Sequence, residues 1–166
     1  MTTTNQEIQQ IHLTDDGTFP NSPLPLLFPA KHVTDLFESH NWSNSWDDGI
    51  FEYHHYHSIT HEVLGIYSGE TTVQLGGEHG EKIKIQKGDV LVIPAGVAHK
   101  NLGKENDIGC VGAYPDGRDY DMNYGKPGER PGTDHNIHHV PLPKTDPVYG
   151  EGGLMHIWDE QHRHVL

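Results

Sequence analysis

Four histidines and a glutamate fall within nine consecutive residues, HHYHSITHE, running from His54 to Glu62. Imidazole nitrogens and carboxylate oxygens are donors that first-row divalent metals accept readily. A segment this short does not present all five side chains to one ion. On an extended chain alternate side chains share a face, so His55 and His57 point the same way as Phe51 and Tyr53, while His54 and Tyr56 point away. After a turn at Ser58-Ile59-Thr60, a second strand sets Glu62, Leu64 and Ile66 on one face and His61 on the other. If the two strands are neighbours, Glu62 approaches both imidazoles. His61 does so only if its strand begins one residue differently.

A fourth donor has to come from elsewhere in the sheet. The stretch GDVLVIPAGVAHKN supplies the best candidate, a buried strand and a Pro-x-Gly turn followed by His99 at the start of the returning strand. Three imidazoles and one carboxylate suit one divalent ion such as Fe, Mn, Ni, Co or Zn. Four protein donors around an ion that accepts six leave two positions for water, substrate or dioxygen.

The elements that position these residues are short strands. Strand-like runs occur at 50–57, 62–68, 70–75, 81–86, 89–93, 97–102 and 108–114, separated by turns at Ser68-Gly69, Gly76-Gly77, Lys87-Gly88, Pro94-Ala95-Gly96 and Gly103. In EKIKIQ, Ile83 and Ile85 alternate with Lys82 and Lys84, the pattern of a strand with one wet face. Such spacing predicts an all-β sandwich or barrel. Leu64, Ile66, Val90 and Val92 are its expected core. Before the barrel, four prolines in FPNSPLPLLFPA forbid a helix and predict an extended arm. HVTDLFESHNW carries Val33, Leu36 and Phe37 at helical spacing, which predicts one short helix near 30–41. Beyond Asp116 the chain is polar and rich in Gly and Pro, and reads as a long arm that returns to the body near 137–143 and 154–158.

Composition narrows the partners. The 166 residues suit one domain, with a barrel core over about 49–115, an N-terminal arm over 1–48 and an extension over 116–166. A formal charge of −13 repels phosphate backbones and anionic lipid, which argues against nucleic acid and membrane surfaces as partners. The N-terminus has neither a basic start nor an apolar run, so it predicts no signal peptide, and no apolar stretch is long enough to span a bilayer. The expectation is a cytoplasmic protein. Cys110, the single cysteine, excludes an internal disulfide and reads as a small buried filler in IGCVGAY.

Two longer patterns tie these segments together. Gly-x5-His-x-His-x4-Glu-x6-Gly is met by Gly49, His55, His57, Glu62 and Gly69, and Gly-x5-Pro-x-Gly-x2-His by Gly88, Pro94, Gly96 and His99. The sequence thus resembles the cupin superfamily (RmlC-like jelly rolls). HYHSITHEVLGIYSG, GDVLVIPAGVAHK and GAYPDGRDYD resemble the YjlB-like cupins in particular. The second cupin pattern continues -x3-Asn after its histidine, and at that place this chain has Gly103, with Asn101 two residues early. The resemblance implies a double-stranded β-helix, or jelly-roll barrel, with N- and C-terminal arms and one or two short helices. It also implies His55, His57, Glu62 and His99 as metal ligands, and a homodimer. Some cupins keep the barrel and lose the ion, but with all four ligand types present a bound metal is the expectation.

Two functions compete on this basis. One is a metal-dependent enzyme acting on a small organic molecule, of the oxygenase, isomerase or lyase type. The other is a non-catalytic module that binds a carbohydrate or carboxylate. Phe51, Tyr53, His61 and Asn101 are candidates for the pocket, with Tyr53, His61 and Asn101 nearest to a role in proton transfer or orientation. For His61 a pocket base, an alternative ligand and a solvated side chain all stand, the solvated one being preferred. HNIHH at 135–139 reads as surface histidines, and HRH at 162–164 as a mobile end.

Overall fold

A computed structural model describes residues 8–29 and 36–165. Eight strands are found among the described residues: β1 (Ile8–Ile11), β2 (Leu26–Pro29), β3 (Trp42–Asp48), β4 (Glu62–Leu75), β5 (Glu81–Gln86), β6 (Val90–Ile93), β7 (His99–Asn101) and β8 (Ile108–Pro115). Every pairing is antiparallel, in the order β1-β2-β6-β4-β8-β3, with β5 and β7 on the far half of β4. This is the jelly-roll arrangement the sequence motifs imply.

Strand β4 organises the barrel because it belongs to two sheets. Its first half pairs with β6 and β8, as at Glu62↔Ile93 and Val63↔Ala113; its second half pairs with β5 and β7, as at Val73↔Ile83 and Val73↔Asn101. Two strands split by a turn at Ser68-Gly69 were expected, and one strand with a register shift between Ile66 and Ser68 is found. Gly69 explains the continuity. Its φ is +76° and a side chain there would collide with the Asp107 carbonyl, so glycine lets the chain bend without leaving the sheet.

Alternation along β4 divides two apolar cores. Leu64 and Ile66 face the barrel interior with Leu75, Ile85, Leu91 and Ile93. Val63 faces outward with Val90, Val92 and Ala113, under Phe37, Trp42, Ile157 and Trp158. A strand covered on both sides is apolar at nearly every position, and VLVI of β6 is buried throughout. Cys110 is likewise fully buried.

Two expectations need correction, and a third is met over the residues described. Residues 50–57 form no regular strand; they are held by isolated bridges, His55↔His99 and Tyr56↔Asn123. The helix expected near 30–41 is seen as α1 (Leu36–Ser39), the part over 30–35 lying outside the described residues. Two further helices, α2 (Gly132–His139) and α3 (Leu154–Val165), make three in place of one or two. The segment expected to be a mobile end is thus the last turns of α3. Leu154, Ile157 and Trp158 recur at i, i+3 and i+4 and bury one face of that helix against the outer core.

Trp158 is the anchor of this cover: it is 1% exposed and its Nε1–H donates to the Pro25 carbonyl at 2.8 Å. Trp158→Ala is expected to cost about 3–5 kcal/mol, the usual range for removing a large buried aromatic side chain. Urea unfolding checks this, and a loss below about 1 kcal/mol would mean that α3 does not close the outer core.

Candidate functional site

The histidine segment depends on two backbone clamps. His55 exchanges both hydrogen bonds with His99 at 3.3 and 2.9 Å, which joins the segment to β7. Tyr56 exchanges both with Asn123 at 2.9 and 3.1 Å, which joins it to the extension after Pro115. Tyr56 is fully buried, and its hydroxyl lies 3.0 Å from Thr133 Oγ1 and donates to Glu129 at 3.2 Å. With residue 56 pinned outward, residues 55 and 57 turn inward.

The structure brings His55, His57 and His99 together, all buried, with ligand atoms within 4.8 Å of one another. Their ring centroids are 4.1 Å apart for His55–His99, 5.5 Å for His57–His99 and 5.9 Å for His55–His57. Glu62, at the start of β4, approaches two of the three: Oε1 lies 3.2 Å from His99 Nε2 and Oε2 lies 3.4 Å from His57 Nε2.

The other nitrogen of each ring faces a backbone carbonyl. His55 Nδ1 is 3.0 Å from Tyr53 O, His57 Nδ1 is 2.6 Å from Asp121 O, and His99 Nδ1 is 3.1 Å from Val97 O. A carbonyl can only accept, so every Nδ1 carries the hydrogen and donates it. That fixes which nitrogen is left to point inward, namely Nε2. Glu62 Oε1 is buried without a hydrogen-bond partner, so its short approach to His99 is a contact without hydrogen-bond geometry. An orphaned carboxylate oxygen beside converging Nε2 atoms fits a cation between them.

Electrostatics agree with this geometry. Burial first, then the neighbouring His99, pulls His55 down to about 3, so it stays neutral and able to ligate. Burial also works against charge on His57, but the Glu62 carboxylate outweighs it and raises the affinity for a second proton. Burial opposes the charge on Glu62, yet His57 and then His99 hold it well below the usual carboxylate range. Glu62 thus favours a proton on His57 Nε2. A metal would compete with that proton.

A cavity of about 190 Å³ opens over the cluster, lined by His55, His57, Glu62 and His99 together with Phe51, Tyr114, Tyr120 and Met122 among others. Of the four pocket candidates only Phe51 is placed on it. Tyr53 is 42% exposed and stacks on the outer side of Phe51 at 4.9 Å. Asn101 is buried but structural: its Oδ1 accepts from Thr71 Oγ1 and Gly103 N, and its Nδ2 donates to Lys104 O. His61 is buried on the outer face, as strand parity predicts. Its Nδ1 accepts from Ala95 N at 2.9 Å, Nε2 lies 3.2 Å from Pro141 O, and the ring sits 4.8 Å from Trp158. The preferred solvated reading of His61 is therefore incorrect; its ring links the barrel to the extension. His54 faces Phe19 on the opposite side of the segment from the cluster, its Nε2 3.8 Å from Glu78. His135, His138 and His139 are exposed on α2.

Sequence reasoning missed Asp121 and Tyr114. Asp121 closes GAYPDGRDYD, a stretch that carried the family resemblance without any role for this residue. Its carbonyl accepts from His57, and its carboxylate accepts from Ser58 N at 2.7 Å, from the Ser58 hydroxyl and from Asn123 Nδ2 at 2.9 Å. Tyr114 sits on β8 and receives the Trp46 Nε1–H at 2.9 Å; burial and then the Glu62 carboxylate push its phenol far up, so it stays protonated. The signal for Tyr114 was available in the alternation of β8, but none marked Asp121.

No protein-family model matches the chain. A Bacillus subtilis (strain 168) protein described as uncharacterized protein YjlB is 44% identical over 161 residues, covering 92% of this chain and 98% of that protein. The chain belongs to the YjlB family. Among solved structures, acireductone dioxygenase from Bacillus anthracis with a cadmium ion in its active centre gives a TM-score of 0.40 at 15% identity, covering 54% of this chain and 61% of that one. Oxalate decarboxylase from Bacillus subtilis, with Mn(II) centres, gives 0.35 at 20% identity, covering 60% of this chain and 22% of that one. No helix among the described residues is long and apolar enough to cross a membrane.

The burial of His61 has a pH consequence. Its folded value is lowered by burial from 6.5 to about 4, so both folded and unfolded states are neutral above pH 6.5 and stability there is independent of this group. Below pH 6.5 the unfolded chain takes up the proton first. Stability then falls until about pH 4, by about 3 kcal/mol from this residue. Urea unfolding of metal-free protein across that window is expected to show this loss, reduced in His61→Gln. An identical pH slope in the two proteins would contradict the assignment.

Proposed function

We propose that this YjlB-like cupin is a metal-dependent enzyme acting on a small organic molecule, of the oxygenase, isomerase or lyase type. His55, His57 and His99 hold a divalent first-row ion through Nε2, and Glu62 supplies the fourth donor. The observation that carries this reading is the commitment of all three Nδ1–H groups to backbone carbonyls, which leaves three Nε2 atoms converging beside an orphaned carboxylate oxygen. Such an ion, when bound, supplies Lewis acidity and positions at which substrate or dioxygen coordinates.

The chain's own residues shape what reaches those positions. Phe51 and Leu64 make apolar walls, and Tyr114 and Tyr120 stack at 5.0 Å as another. Tyr114, protonated and buried, is the group placed to donate a hydrogen bond within the cavity. Asp121 keeps His57 in orientation through its carbonyl, and the Ser58 bonds to its carboxylate keep that carbonyl in place. The alternative, a binding module without turnover, would use the same walls and the same ion.

Stoichiometric metal is expected in the untagged protein, and His57→Ala and His99→Ala are each expected to lose it while still folding. Elemental analysis with circular dichroism checks this. Asp121→Ala keeps the carbonyl but frees it from the Ser58 and Asn123 bonds, and is expected to weaken metal affinity by up to about 10-fold, the low end for disturbing an outer partner of a ligating histidine, read by chelator competition. Metal-loaded protein is expected to turn over at least one member of a panel of small organic molecules, with oxygen uptake followed in parallel. Ligand binding without turnover across that panel would favour the binding module.

A further inference from the structure

The cavity over the histidine cluster carries a charge pattern that bears on its ligand. Besides Glu62 its lining includes Asp47, Asp48 and Glu105, and neither lysine nor arginine. Asp48 is exposed and Glu105 is half-buried, so these two carboxylates stand where the cavity meets solvent, while Asp47, exposed and opposite Val111, turns to the Tyr67 side of the sheet. None has an ion-pair partner among the described residues, and the nearby Lys104 is committed to Glu52 at 3.6 Å. Asp47 accepts from the Tyr67 hydroxyl at 2.5 Å and Asp48 from Gly49 N at 2.8 Å, which neutralises neither. Deeper in the same cavity, Glu62 Oε1 is buried and unpartnered.

A divalent ion would outweigh Glu62 by one charge, and the two outer carboxylates, Asp48 and Glu105, reverse that sign. An anion approaching from solvent meets repulsion before it reaches the ion, while a cation is drawn in. Aromatic faces add to this preference. Phe51 and Tyr120 line the cavity at 40% and 46% exposure, with Trp46 beside them, and ring faces attract ammonium groups.

We infer that the cavity takes a small organic cation, an amine on an apolar or aromatic body, in preference to a carboxylate. This rests on the cavity being the ligand site of the function proposed above, and it narrows the substrate class of that site. Asp48 and Glu105 select by charge, and Phe51 and Tyr120 hold the body.

The test uses full-length protein loaded with Co(II), titrated calorimetrically with three probes that share a ring and arm: tyramine, tyrosol and 4-hydroxyphenylacetate. Tyramine is expected to bind about ten-fold or more tighter than the acid, with tyrosol between, and the ratio is expected to shrink in high salt. The double variant Asp48→Asn/Glu105→Gln is expected to lower the tyramine-to-acid ratio about three-fold or more while leaving tyrosol affinity unchanged. Equal or tighter binding of the acid, no tyramine binding at millimolar concentration, or a ratio unmoved by the double variant overturns the inference. Cobalt content is measured separately. Amine preference without stoichiometric cobalt upholds the charge selection and overturns the metal reading, and cobalt-loaded protein that prefers the acid does the reverse.

Discussion

Three imidazole N–H groups, each donated to a backbone carbonyl, set the geometry on which the cluster depends. The carbonyls belong to Tyr53, Val97 and Asp121, and so to three different parts of the chain. Two of them lie two residues from the histidine they orient, and are fixed as soon as the local backbone is fixed. The third lies 64 positions away. His57 is therefore oriented only when the extension beyond β8 is in place, and that extension is in turn held by the Tyr56–Asn123 bridge and the Asp121–Ser58 bonds. The cluster belongs to the whole chain, although its residues are concentrated in one segment.

The same dependence appears in the packing. Strand β4 contributes Glu62 to the cavity, Leu64 and Ile66 to the interior core and Val63 to the outer core. An outer face this apolar needs a cover, which α1, α3 and Trp42 provide. His61 sits at that seam with both nitrogens satisfied, one from the Pro94-Ala95-Gly96 turn and one from the extension. A neutral histidine that can use one donor and one acceptor suits a buried junction between two backbone groups, which neither leucine nor lysine would satisfy.

Much of this was legible in the residues. Strand parity correctly separated Glu62 from His61, and His55 and His57 from His54, because the alternation holds locally even where no regular strand forms. The motif glycines at 49 and 69 marked places where backbone approaches backbone, as Glu105 and Asp107 show. Parity did not reveal that residues 50–57 would be held by isolated bridges, since an irregular segment and a strand share an extended conformation. The extension was the least legible part. PDGRDYDMN has no periodicity, and the role of Asp121 comes from a main-chain carbonyl whose partner no side-chain pattern announces. The amphipathic spacing of Leu154, Ile157 and Trp158 was present in the sequence, but a terminal run of histidines and charges masked it.

The central claim is that three imidazoles and one carboxylate meet on a single ion. X-ray absorption spectroscopy of the stoichiometrically metal-loaded protein measures this most directly. The account predicts a first shell of nitrogen and oxygen at about 2.0–2.2 Å, with outer scattering from three imidazoles that falls to two in His55→Ala. A shell containing one imidazole or none, or scattering unchanged in that variant, would contradict it.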